Sequence, residues 1–236
     1  MKNPTVKFYE SGVIDQALGD TIRPGGLSLT KRLAEVLGID ESWRILDIAC
    51  GKGTTTSFLS REYGCHVVGI DLSYKLISMA ESKEGLVLGD AARLPFRDAT
   101  FDAVVSECSF SLLLDKEAGA REIRRILKTG GKLAMTDVFL KGELTVRPQS
   151  EVAFASCIAG AMKLVEYTSL FQDAGFKAPY VEDHSKELKK AAWQIIATYG
   201  TMNSFLTCSG DSSAEDWRKM FQEGKPGYAL IVTTKL

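Results

Sequence analysis

The chain has 236 residues, with 29 lysine and arginine side chains against 30 aspartate and glutamate side chains, which gives a net charge of −1. This balance argues against a protein that holds nucleic acid mainly through contacts with phosphate. Hydrophobic residues make up 45% and charged residues 25% of the sequence, so a globular domain is expected and a disordered chain is excluded.

Membrane, secreted and metal-binding classes are disfavoured by what the sequence lacks. The longest apolar runs are shorter than a membrane span requires, and the start MKNPTVKFYESG has no hydrophobic signal region. The five cysteines form no CxxC or CxxxC pair, which disfavours a disulfide framework and a zinc ribbon. We therefore predict a protein of the reducing cytoplasm without a resident metal, and the sequence does not indicate its oligomeric state.

Strands and helices alternate in the predicted first half from about residue 27 onward, a pattern that indicates parallel β-α units. A first helix carries Leu29, Leu33 and Leu37 on one face and ends at Gly38. The strands predicted here are 44–49, 65–70, 86–88, 101–106 and 132–138. The helix before the last of them is predicted to end at Gly130-Gly131.

The second half begins with a connection that shows no clear period and then returns to regular elements. A helix is predicted at about 165–174 and a strand at about 177–182. A long helix begins at Ser185 and carries its apolar stripe as far as Met202. A final strand is predicted at 227–234.

The glycine loop that follows the first strand, in the stretch LDIACGKG, has three competing interpretations. A dinucleotide site needs a third glycine, and Thr56 stands at that position. A phosphate loop needs the spacing GxxxxGK[ST], which is absent. The third interpretation, an S-adenosylmethionine site, is favoured by carboxylates placed at successive strand ends: Asp47 before the loop, Asp71 after the second strand, and Asp90 after the third. One such residue alone commonly caps a helix or turn, but three can converge on one crevice.

Several motifs together resemble those of class I S-adenosylmethionine-dependent methyltransferases. These motifs are ILDIACGKG, VVGIDLS, GDAARLPF, FDAVVSECSF and REIRRILKTGGKLAMTDVF, and the resemblance covers about residues 27–182. It implies a Rossmann-like α/β fold: a seven-stranded sheet of order 3-2-1-4-5-7-6, helices on both faces, and the last strand antiparallel. The cofactor-binding residues that it implies are Asp47, Ala49, Gly51, Gly53, Asp71, Leu72, Asp90, Ala91 and Glu107.

We expect a single domain over 1–236, with S-adenosylmethionine as cofactor and S-adenosylhomocysteine as product. Its expected parts are an N-terminal helical cap (1–43), a cofactor-binding core (44–138) and an acceptor-side half (139–236) with a helical insertion at 183–226. The segment Arg23-Pro24-Gly25-Gly26 has two interpretations: a loop that closes over the cofactor or, as we favour, a plain connecting loop.

Two cysteines carry the narrower prediction about the methyl acceptor. Cys108 in SECSFSLLLD and Cys157 in CIAGAMKLVEY lie in stretches that resemble arsenite methyltransferases, whose cysteines hold trivalent arsenic beside the methyl group. Thiolates are soft ligands, and the arsenic lone pair attacks the methyl group without a general base. The competing interpretation is that both cysteines pack in the interior or line a pocket for another acceptor.

Two alternatives to an arsenic methyltransferase stay open: a different methyl acceptor, or a protein that is not an enzyme. Other small-molecule methyltransferases of this kind act on quinone-like or other organic acceptors, through an oxygen, nitrogen or carbon atom. For such an acceptor Glu107, at the end of the fourth strand, is the candidate base. An alternative of another class is a protein that binds S-adenosylmethionine without transferring its methyl group.

Overall fold

A computed structural model describes residues 4–144, 157–208 and 214–236. Parts of the predicted connection 139–163 and of the predicted insertion 183–226 lie outside these residues, namely 145–156 and 209–213. The helices are α1 (Pro4–Glu10), α2 (Val13–Leu18), α3 (Gly26–Leu37), α4 (Thr54–Tyr63), α5 (Tyr74–Ser78), α6 (Lys116–Ile126), α7 (Leu164–Asp173), α8 (Ser185–Tyr199), α9 (Met202–Cys208) and α10 (Ala214–Gly224). No helix within the described ranges is long and apolar enough to cross a membrane.

A single mixed sheet organises the chain. Its strands are β1 (Arg44–Ile48), β2 (His66–Asp71), β3 (Leu86–Leu88), β4 (Phe101–Glu107), β5 (Leu127–Leu140), β6 (Met162–Lys163), β7 (Tyr180–Asp183) and β8 (Pro226–Thr234). They lie in the order β3-β2-β1-β4-β5-β8-β7, and the two-residue β6 pairs with β5 beside this path. Apart from β6, the predicted order is confirmed, with β8 antiparallel to both of its neighbours.

Each face of the sheet carries one apolar cluster, because alternate side chains of every strand point to opposite faces. One cluster joins α3 to the sheet through Leu33, Leu37 and Ile45. The other joins α6 and α7 to it through Ile123 and Phe171. This sandwich of helices on both faces leaves the carboxyl ends of the parallel strands as the free edge for a site.

Three predicted regions have wrong boundaries, and two of them contain a glycine at the error. The strand predicted at about 177–182 is β7, which begins only at Tyr180 and ends at Asp183. Helix α6 ends at Ile126, and β5 begins at Leu127 and runs through Gly130-Gly131, where its pairing with β4 is irregular. The predicted helix from Ser185 to Met202 is two helices. Gly200, with φ of 80°, ends α8, because this backbone conformation is incompatible with an α-helix and strains residues that carry a side chain.

Candidate functional site

A cleft, here named the main cleft, opens at the carboxyl ends of β1, β2 and β4. The N-terminal segment, including Tyr9 of α1 and Arg23, forms the wall opposite these strand ends, and Cys108 lies at one side. Eight of the nine residues that the sequence motifs assigned to a cofactor line the main cleft: Asp47, Ala49, Gly51, Asp71, Leu72, Asp90, Ala91 and Glu107. Gly53 does not line it and instead precedes α4.

The glycine loop between β1 and α4 is held in a left-handed backbone conformation. Ala49, Gly51 and Gly53 have φ values of 56°, 54° and 74°, and glycine adopts such values without the steric cost that a side chain adds. The N–H of Gly51 donates to Asp71 Oδ2 at 2.8 Å. The loop therefore exposes backbone at the cleft wall and is fixed by the carboxylate at the end of the next strand.

Asp47, in β1, is a carboxyl group buried at the floor of the main cleft, with 2% of its surface exposed. The Thr56 hydroxyl donates to its Oδ2 at 2.7 Å, and within the described residues no lysine or arginine forms an ion pair with it. Burial raises the pKa of Asp47 to about 7, and the nearby Glu107 carboxylate acts in the same direction. A cationic group of a ligand would therefore find here a carboxyl group that lacks a counter-charge.

Asp71 and Asp90 border the main cleft at the ends of neighbouring strands. Asp71 accepts hydrogen bonds from the N–H groups of Gly51 and Ser73, at 2.8 and 2.7 Å, and burial raises its pKa. A carboxylate has about four lone-pair positions, so Asp71 retains capacity to accept from ligand hydroxyls. Asp90 accepts from the N–H of Ala92 at 2.8 Å and is otherwise exposed.

Glu107 forms a buried ion pair with Arg23. Arg23 Nη2 lies 2.7 Å from Glu107 Oε2, and the side chains are 8% and 3% exposed. The hydroxyl of Thr55 donates to Glu107 Oε2 at 2.7 Å, and that of Thr30 lies 3.0 Å from Oε1. These contacts engage both carboxylate oxygens of Glu107 and hold the side chain in the cleft wall. The role of Glu107 as a base stays a prediction.

Cys108 and Cys157 meet next to the main cleft. Cys108 directly follows β4 with φ of 55°, a strained value for a residue with a side chain, and its N–H donates to the Thr136 carbonyl at 2.6 Å. A hydrogen bond with the half-buried Cys157 thiol, together with burial, raises the pKa of Cys108, while the Tyr228 hydroxyl opposes this rise. With its pKa raised, the Cys108 thiol is neutral at neutral pH.

Two further ionisable groups, Tyr9 and Asp137, lie near these thiols. Tyr9 lines the main cleft, and burial with the nearby Cys157 and Cys108 raises the pKa of its hydroxyl. Asp137, next to Thr136 in β5, accepts from the N–H and the hydroxyl of Ser111 at 2.8 and 2.7 Å. Burial raises the pKa of Asp137 to about 6. The space beside Cys108 is thus apolar in part, with protonated hydroxyl and thiol donors around it.

The remaining cysteines lie apart from this pair. Cys50 and Cys65 are buried, and a side chain at Gly69 would meet Cys50 Sγ at 2.8 Å, so Cys50 fills the space that this glycine leaves. Cys208 is exposed at the end of α9. Within the described parts of the chain, no group of three histidine, cysteine or acidic side chains is arranged to hold a metal ion.

The N-terminal wall of the main cleft was largely missed by the sequence analysis. The favoured interpretation of the segment Arg23-Pro24-Gly25-Gly26 is a plain connecting loop, but in the structure Arg23 is buried in the wall, with 9% of the residue's surface exposed. One signal in the sequence could have indicated this role: a basic residue stands directly before Pro24-Gly25-Gly26, where a helix begins. Burial of an arginine depends on partners distant in sequence, here Thr55 and Glu107, which the local pattern does not reveal.

Comparison with known proteins finds a match to a methyltransferase family and several relatives that are named as methyltransferases. Residues 46–135 match the family described as methyltransferase domain. The methyltransferase GfsG of Streptomyces halstedii is 27% identical over 92% of this chain and 82% of its own length.

Solved structures share the fold over nearly the whole chain. Phosphoethanolamine N-methyltransferase 2 of Haemonchus contortus, in complex with S-adenosyl-L-methionine, aligns with a TM-score of 0.76 and 20% identity. That alignment covers 97% of this chain and 56% of the Haemonchus contortus chain, so this chain spans little more than half of that relative's length. The [4+2]-cyclase SpnF aligns with a TM-score of 0.76 and 22% identity, over 96% of this chain and 93% of its own.

Proposed function

Because this chain is a class I S-adenosylmethionine-dependent methyltransferase, we propose that it transfers the cofactor's methyl group to a small molecule bound at the Cys108 end of the main cleft. One observation carries this proposal: carboxylates at three successive strand ends and the Cys108 thiol line one and the same cleft. S-Adenosylhomocysteine is then the product that leaves with the methylated acceptor.

The residues present fit this cofactor. Asp47, buried without an ion-pair partner among the described residues, supplies the counter-charge for the ammonium group of the methionine part. Asp71 accepts from the ribose hydroxyls with its remaining lone pairs, beside Leu72. Asp90 would accept from the adenine amino group, and Ala91 would line the space for the base. The left-handed backbone at Ala49 and Gly51 allows the close approach that the methionine part needs.

The protein's contribution to the reaction is orientation and the exclusion of water. The cofactor supplies an activated methyl group, and the chain must hold the acceptor atom in line with it. Tyr9 and Arg23 cover the cleft from the N-terminal side, so the reacting atoms are shielded from solvent. Glu107, paired with Arg23, holds this wall, and for an organic acceptor it stays the candidate base.

A panel of acceptors tests the proposal. Purified protein is incubated with S-adenosylmethionine and, one at a time, a small thiol, an amine, a phenol, a quinol and arsenite. At least one of these acceptors should give S-adenosylhomocysteine above background. The alternative, a protein that binds the cofactor without transfer, predicts cofactor binding by calorimetry and no product with any acceptor. Absence of binding would contradict both.

The thiol pair specifically favours a soft acceptor, with trivalent arsenic first among these. Cys108 and Cys157 are in hydrogen-bond contact, and Cys108 also lines the main cleft. Two adjacent sulfur ligands suit a thiophilic centre better than an oxygen or nitrogen acceptor. Because both thiols must stay reduced, we place this reaction in a reducing compartment such as the cytoplasm. An organic oxygen, nitrogen or carbon acceptor is the competing candidate, for which the pair lines the pocket without bonding.

Serine variants distinguish the two candidates. If arsenic is the acceptor, C108S and C157S should each abolish methylation of arsenite in the presence of a thiol reductant. The exposed Cys208, replaced by serine, is the matched control and should keep full activity. If the wild-type protein releases no S-adenosylhomocysteine with arsenite, the arsenic candidate is eliminated and the organic acceptor remains.

A further inference from the structure

Arg23 presents an unusual set of contacts in the wall of the main cleft. Its Nη1 donates to the Thr21 carbonyl at 3.1 Å, and its Nη2 lies within 2.6 to 2.8 Å of Thr30, Thr55 and Glu107 oxygens. Its Nε is buried and has no hydrogen-bond partner within the residues that the structure describes. Buried N–H groups are nearly always paired, so this one indicates an acceptor that a ligand brings.

The charges around the main cleft leave few places for a ligand carboxylate. Asp47, Asp71, Asp90 and Glu107 all line it and would repel a negative group. The other basic side chain in its wall is Lys52, and that ammonium group already lies 2.6 Å from Asp15 and 3.4 Å from Asp20. Arg23 is therefore the cation that retains a donor for an incoming anion.

We propose that Arg23 binds the carboxylate of the cofactor's methionine part and so determines that the site takes the full amino-acid ligand. This inference rests on the proposed function, since it assumes that the cofactor occupies the main cleft. A guanidinium has five N–H donors in a fixed planar array, which matches the geometry of a carboxylate. Glu107, together with the Thr30 and Thr55 hydroxyls, acts as a positioning residue that holds the guanidinium in the wall.

The test compares two ligands that differ in the amino-acid part. S-Adenosylhomocysteine carries the carboxylate, and 5′-methylthioadenosine lacks the whole amino-acid group. Calorimetry should show that R23M binds S-adenosylhomocysteine roughly 10- to 100-fold more weakly than wild type, the size of a lost charged hydrogen bond. Its affinity for 5′-methylthioadenosine should stay within about twofold of wild type.

Two further variants keep the test decisive. R23K retains the charge but not the planar array, so we expect an intermediate loss for S-adenosylhomocysteine alone, and it serves if R23M fails to fold. Arg32, an exposed arginine of α3 paired with Glu35 and Glu182, provides the control R32M, which should bind both ligands normally.

Different binding results would overturn the role of Arg23 and the proposed function. Equal weakening of both ligands by R23M and R23K would show that Arg23 only supports the wall, and unchanged binding of both would show that it is not in the site. Either result overturns the inference and leaves the proposed function standing. A wild-type protein that binds neither ligand would instead overturn the proposed function.

Discussion

Gly160 lies so close to Ser111 that a Cβ atom at position 160 would overlap the Ser111 carbonyl oxygen. This contact joins the segment after Cys157 to the turn after Cys108. Glycine at this point allows the two backbones to touch, and the touching backbones bring the two thiols together.

A methyl group at position 160 should therefore separate these segments. We expect G160A to lower the free energy of unfolding by about 1–3 kcal/mol, the usual cost of forcing atoms into a packed contact. Denaturant unfolding measures this, and a short bifunctional thiol reagent reports whether Cys108 and Cys157 still lie together. The control is A161G, which only removes a methyl group and should still allow the reagent to crosslink Cys108 and Cys157. If G160A kept both the wild-type stability and this crosslink, the expectation would be wrong.

Asp71 provides a test of the cofactor orientation. D71N keeps the shape of the side chain but replaces one acceptor oxygen, so the affinity for S-adenosylhomocysteine should fall by about 1–3 kcal/mol. The control is D102N, because Asp102 accepts from Arg44 and Lys128 at the opposite end of the sheet. Equal affinity of D71N and wild type by calorimetry would remove Asp71 from the proposed site.

The buried carboxyl of Asp47 predicts a pH dependence of binding. Its pKa is raised to about 7, and only the ionised form offers a counter-charge to the ligand's ammonium group. S-Adenosylhomocysteine affinity should therefore increase as the pH rises from about 6 through 7, with proton release on binding. Calorimetry in buffers of different ionisation enthalpy detects that proton, and D47N should show neither the release nor the slope.

The same pKa has the opposite consequence for the protein without ligand. Because the folded-state pKa of Asp47 lies above the ordinary aspartate value of 3.8, its contribution to stability is largest below that value. That contribution is lost as the pH rises through about 7, and Asp137, with a pKa of about 6, acts in the same direction. Thermal unfolding of wild type and D47N across this range should therefore converge at low pH; parallel curves would contradict the raised pKa.

Lys52 connects the glycine loop to α2, so its removal should loosen the N-terminal wall. The ammonium group lies 2.6 Å from Asp15, and both side chains are mostly buried. We expect K52M to increase proteolytic cleavage within the first 25 residues and to weaken cofactor binding several-fold. K128M, which breaks the exposed Lys128–Asp102 pair at 2.7 Å, is the control and should do neither.

The sequence predicted which helices and strands form more accurately than it predicted the residues at which they begin and end. The stripe that placed α3 is a strong periodic signal, and α3 ends at Leu37, directly before Gly38 as predicted. The start of β5 was misplaced because Gly131 sits in an irregular register, where a side chain would crowd the Lys128 and Asp102 carbonyls. Such a position depends on the neighbouring strand β4, which local sequence does not represent.

The sheet order was implied by the resemblance of the motifs to class I methyltransferases, and the sequence by itself determined the row of carboxylates at Asp47, Asp71 and Asp90. Parallel strands place their carboxyl ends on one edge, so residues at strand ends converge whatever the rest of the chain does. Only the tertiary structure decided that Arg23 pairs with Glu107 and that Cys157 meets Cys108. These contacts join segments far apart along the chain, and they depend on how loops pack over the sheet, which no local periodicity encodes.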